Sequence, residues 1–147
     1  GMERIAMAEI ESVKCMPGEK RGFIHLNFSA DEVQEGRIVV AHNSSFDMSV
    51  LRACLTESGL PAPMFSYCDT VKISQKVWPE LENHKLDTVG SFLHIDFNHH
   101  NALDDARTCA AIPIYAGAEL AVDSLERLTR QLGVTVRPFG AGKGYRR

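Results

Sequence analysis

Apolar and polar positions along this chain fall into short blocks, and the sharpest change of period lies in residues 37–55, RIVVAHNSSFDMSVLRACL. The apolar run Ile38, Val39, Val40 and Ala41 stops at the polar pair His42-Asn43. A helical period then begins behind Ser44 and Ser45, which predicts strand, tight turn and helix. At about 100° per residue, Asp47 falls beside Val50, Leu51 and Cys54, on the stripe expected to face the core, and away from Ser49 and Arg52. The anomaly recurs in HHNALDDARTCAAI. There a helix from Asn101 places Asp105 between Cys109 and Ile112 on the apolar side, with Asp104 beside Arg107 and Thr108 on the polar side.

A carboxylate on a core-facing stripe is costly unless a cation or good donors meet it. Taken singly, each is ordinarily a cap or a partner of the helix dipole. Here two stand in the first turns of helices, each preceded five residues earlier by a histidine, His42 and His100, and together they suggest a shared site for a hard cation.

The remaining elements follow from the same patterning. Residues 3–14 have no clean period, 16–20 read as a turn, and 23–28 alternate like a strand or one arm of a hairpin. Gly59 and the Pro61/Pro63 pair close the first helix. Within residues 65–78, Cys68-Asp69-Thr70 leads into a helix carrying Val71, Ile73 and Val77, which Pro79 ends. Asn83 is placed to cap a helix with Leu86, Val89, Phe92 and Leu93 on one face. Pro113 should kink or end the helix begun at Asn101, and residues 119–132 read as a further amphipathic helix. The expected organisation is a domain over 2–133 and a Gly-rich, basic tail over 134–147 that is solvated or disordered. Strands alternating with helices give an α/β or α+β class.

Composition narrows the chemistry. A chain of 147 residues, 44% hydrophobic, supports one domain with a real core. Gly1 before Met2 looks like a tag scar. Neither an apolar run of membrane-spanning length nor a signal-peptide pattern is present, so a cytoplasmic protein with no membrane partner is expected. Cys15, Cys54, Cys68 and Cys109 occur singly, which fits buried free thiols better than a disulfide frame or a zinc site. With a net charge of −3 there is no overall basic signature of passive nucleic-acid binding, and an acidic site acting on a phosphodiester would need metal to offset the repulsion.

His42-Asn43-Ser44-Ser45-Phe46-Asp47 resembles the HNxxFD motif of the DnaQ-like (DEDDh) 3′-5′ exonucleases. His100-Asn101-Ala102-Leu103-Asp104-Asp105-Ala106 resembles their HxAxxDA motif. This is the family of the proofreading epsilon subunit of bacterial DNA polymerase III, and the likeness runs over residues 37–112. It implies a ribonuclease H-like mixed sheet flanked by helices, shortened at the N-terminus. It implies metal ligation by Asp47 and Asp105, proton abstraction by His100, and a nucleotide pocket shaped by His42, Asn43 and Phe46. For a further aspartate between the motifs, Asp87 in HKLDTV is the best-placed match. The chemistry agrees: two hard cations, Mg2+ or Mn2+, about 4 Å apart can place hydroxide and stabilise a departing 3′ oxygen. A histidine titrating near neutrality can take the proton from the attacking water.

The family opens with a D-x-E strand that this chain does not reproduce. In one reading Glu9 and Glu11 of Ala8-Glu9-Ile10-Glu11-Ser12 replace it as metal ligands; in the other, residues 3–28 are the hairpin that follows and the metal-binding strand is absent. The first implies an exonuclease trimming the 3′ ends of single-stranded DNA or oligonucleotides to mononucleotides. The second implies a degenerate exonuclease fold serving as a nucleic-acid-binding or polymerase-associated module. In that case a DNA polymerase, or a second copy forming a homodimer, would be a candidate to cover an opened sheet edge.

Overall fold

The computed structural model describes residues 38–96 and 102–140, and the fold is built from these. Strand β1 (Ile38–Ala41) leads into helix α1 (Ser44–Ser58), which returns to strand β2 (Phe65–Asp69). The two strands are parallel, with Ile38 opposite Ser66 and Ala41 opposite Asp69, so the His42-Asn43 turn and the end of β2 share one edge of the sheet. Helix α2 (Thr70–Val77) follows without a break, then α3 (Leu86–Phe92), α4 (Ala102–Leu120), α5 (Leu125–Leu132) and strand β3 (Arg137–Phe139). β3 pairs antiparallel with β2, Pro138 opposite Ser66, and the described strands run in the order β1-β2-β3.

The alternation of side chains along the strands sorts them to two faces. Ala41, Phe65, Tyr67 and Phe139 pack with Met48, Leu51 and Leu55 of α1, and Val39 joins them from the rim. On the other face Cys68, with half-buried Ile38 and Val40, meets Ile73, Val89, Ile112, Ala116 and Leu128 from the remaining helices. The result is an α/β layering, a mixed sheet flanked by helices, as the ribonuclease H-like resemblance implies.

Several elements differ from the sequence expectation for local reasons. Asn83 does not cap α3; its side chain accepts from the Lys85 N–H at 3.0 Å, closing an Asx turn, and Lys85 takes the cap position. Pro113 lies fully buried inside α4 without ending it, since packing of that helix against α2, α3, α5 and β1 outweighs one lost backbone bond. The single helix expected over 119–132 is two. The chain turns at Ala121, which has a positive φ of 59°, and Ser124 caps α5 by accepting from the Arg127 N–H at 3.2 Å.

Residues 134–139, assigned by composition to the tail, join the domain. Gly133, at φ 74°, reverses the chain after α5; Val134 is buried, and Phe139 stacks on Phe65 with centroids 4.8 Å apart. Among the cysteines, Cys68 and Cys109 are buried free thiols. Cys54, expected free, is disulfide-bonded. The strand expected over 23–28 lies outside the described residues.

Candidate active site at the first strand-helix turn

The turn between β1 and α1 is held from a distance. Asn43 adopts the left-handed conformation at φ 76°, tolerable for asparagine, and its side chain makes no capping bond to α1. The cap comes from Asp69. Its Oδ1 accepts from the N–H of Asn43 at 3.0 Å and of Val71 at 2.9 Å, and its Oδ2 accepts from the N–H of Ser44 at 3.0 Å and the Ser44 hydroxyl at 3.3 Å. One carboxylate therefore caps its own helix α2 and also starts α1.

His42 is locked on the other side of the turn. A carbonyl oxygen can only accept, so Nε2–H donates to the His84 carbonyl at 2.7 Å and Nδ1 is left as an acceptor for the Thr70 hydroxyl at 2.8 Å. The hydroxyl's single proton has a more distant alternative in the Ala41 carbonyl at 3.3 Å, and the Cys109 Sγ of α4 lies 3.4 Å from the Thr70 Oγ1. His84 in turn donates Nε2–H to the Trp78 carbonyl at 2.8 Å, and the Trp78 indole donates to Glu119 of α4 at 3.0 Å. Burial holds the His42 ring well on the neutral side of its usual range, against the raising effects of the His84 carbonyl and of Asp69. A neutral, doubly bonded imidazole fixes geometry.

Asp47 stands in the first turn of α1. Its neighbours Leu51 and Cys54 are buried as the helical period predicts, but Asp47 itself is exposed at the rim. Crowding by protein on one side of its carboxyl, and secondarily the negative charge of Asp69, push its pKa up to about 6, with solvent on the open side tempering the crowding. Asp105 is half-buried in the first turn of α4, one turn before Cys109, and Cys109 lies within the electrostatic reach of Asp47. Cys109 links α4 to this turn, its Sγ lying 3.4 Å from the Thr70 hydroxyl that bonds His42, and Asp105 stands one turn before it. Thr108, expected on the polar side, is fully buried and donates to the Asp104 carbonyl at 2.9 Å. Phe46 is 61% exposed beside Asp47, an apolar ring without a core role.

Glu9, Glu11 and His100 lie outside the described residues, and among the described residues no three potential metal ligands converge. The donors that are described, Asp47 and Asp105, are hard oxygen ligands, and the like charge facing Asp47 is the kind of arrangement a divalent cation relieves. Asp87 is exposed in the first turn of α3. Asp69, also between the two motifs, reaches the turn, and sequence reasoning passed over it because an Asp before a helix looks like a local cap. Thr70 and His84 were missed for a similar reason: their shared partner, His42, stands 28 and 42 residues away from them. Burial pushes both the Cys68 and Cys109 thiols up to about 12, so neither is suited to act as a nucleophile.

Residues 29–112 match the family described as Exonuclease (RNase_T), more than half of the chain. The chain belongs to this family of DnaQ-like exonucleases. It is similar to the PolC-type DNA polymerase III of Caldanaerobacter subterraneus subsp. tengcongensis, 32% identical over 70% of this chain and 7% of the relative. It is also similar to the PolC-type enzymes of Listeria innocua, 30% identical over 75% of this chain and 8% of the relative, and of Clostridium perfringens, 37% over 51% and 5%. The chain thus spans less than a tenth of the length of these relatives. No solved structure matches significantly.

Proposed function

We propose that this chain is a metal-dependent 3′-5′ exonuclease that removes mononucleotides from the 3′ end of single-stranded DNA or oligonucleotides, working with a DNA polymerase. The observation that carries this reading is the placement of Asp47. It is held at an open rim by the Asp69-capped turn, with a second carboxylate's charge acting on it, and Asp105 stands in the first turn of α4.

In this reading Asp47 and Asp105, with Glu9 and Glu11, hold Mg2+ or Mn2+. Bound there, such a metal would lower the pKa of an attacking water and offset charge on the departing 3′ oxygen. His100 takes the proton from the attacking water. The exposed Phe46 ring stacks on the terminal base, where an aromatic face favours single strands and tolerates any sequence. His42 and Asn43 hold the turn in place and touch no reacting atom.

The test is mononucleotide release from a 3′-labelled single strand with Mn2+, with Mg2+ and with a chelator, beside the Asp105→Ala variant. Metal-dependent release that the variant loses supports the proposal. Absence of release by folded protein overturns it and leaves a nucleic-acid-binding module.

A further inference from the structure

Beside the Asp69 clamp lies a hollow of about 200 Å³ on the side facing β3. Ser44 and Ser45 at the start of α1 form one wall, Lys72 and Lys76 of α2 a second, and Arg137 of β3 a third. Asp69 is the one carboxylate in the lining, and both of its oxygens are engaged by the turn. Three cations therefore face one carboxylate already in use, in a chain whose net charge is −3.

Two features of this cluster point to an anion. Lys72 and Lys76 stand four positions apart on one helix, a like-charge i,i+4 spacing that weakens the helix. Neither they nor Arg137 forms an ion pair among the described residues, and all three are exposed. Ser45, at the start of α1, is exposed and lines the same hollow. Two flexible ammonium groups and a guanidinium fork make a set of donors suited to phosphate oxygens.

We propose that this hollow binds a backbone phosphate of the nucleic-acid strand, upstream of the nucleotide held at Asp47. The assignment rests on the nuclease reading for the identity of the strand, since Asp69 belongs to both places: it lines the hollow and its charge acts on Asp47. The hollow adds affinity for the strand and leaves the chemistry of the terminal bond untouched.

The experiment is binding of a short fluorescein-labelled thymidine oligonucleotide by fluorescence anisotropy, over a range of salt, to the full chain in chelator, where turnover plays no part. The Lys72→Gln/Lys76→Gln double variant should bind about tenfold more weakly at low salt, and its plot of log K against log salt should be shallower by about 0.7 for each single-strand phosphate no longer neutralised. Lys72→Arg/Lys76→Arg should restore both, and binding of a thymidine mononucleotide should be the same in all three proteins. Unchanged oligonucleotide affinity and slope in the Gln variant would overturn the assignment, as would an equal loss for the mononucleotide. An inactive wild type that still shows the salt effect would separate this inference from failure of the nuclease reading.

Discussion

The carboxylate of Asp69 holds both the backbone N–H of Ser44, at 3.0 Å, and its hydroxyl, at 3.3 Å, across 25 residues of sequence. The end of the second strand thereby sets the start of the helix that carries Asp47.

Asp69→Ala should therefore cost about 2 kcal/mol or more, because it removes the cap of α2 and the donors' partner at α1 together. Asp69→Asn, which keeps acceptor oxygen at one position, should cost less. Urea unfolding of the three proteins measures both, and equal stability of Asp69→Ala and wild type would contradict the clamp.

Asp47→Asn should abolish nucleotide release, a loss on the order of 10³-fold or more. It should also raise the melting temperature in chelator at pH 7.5. The sign follows from the raised carboxyl: its stabilising share is full below the ordinary aspartate range and is lost as pH rises through about 6, so the metal-free wild type carries the penalty at pH 7.5 and Asn does not. Melting in chelator at pH 4 and pH 7.5 tests this; a benefit of Asn confined to pH 4 would refute it.

His42 gives the opposite slope. Its ring is held neutral in the fold, so the contribution is present above the ordinary histidine value of 6.5 and declines as pH falls below it toward the lowered folded value. His42→Phe should flatten the pH dependence of stability in that window. It should cost about 1–3 kcal/mol at pH 7.5, since the His84 carbonyl loses its donor and the Thr70 hydroxyl its acceptor. An NMR titration giving His42 a value above 6.5 would count against it.

Phe139→Ala should destabilise by about 3 kcal/mol, the loss expected for a buried aromatic, and ending the chain at Gly133 should cost more still. Both are read by thermal unfolding. A chain ending at Gly133 that melts like wild type would show β3 to be dispensable.

Strand, turn and helix around residues 37–55, and the stripe of α4 carrying Asp105, were legible because each has a clean period against a buried face. The sheet's third strand was not. Three residues, one of them proline, sit between a Gly-capped helix and a Gly-rich end, and only Phe139 and Val134 mark the apolar side. The break between α4 and α5 was hidden because Ala121 takes a left-handed conformation that alanine seldom adopts. Asp69 was hidden by its position, since local capping explains it fully on paper while its second partner is visible only in three dimensions.

Pro138 bears on how the molecule meets other chains. It sits exposed in β3, the outermost described strand on its side, where a residue without an N–H breaks the row of donors that an incoming chain would need. That flank of the sheet is thus a poor template for amyloid-like stacking, and Arg137 beside it adds charge against the same fate. A residue with no part in the chemistry protects the molecule against aggregation at its most accessible described strand.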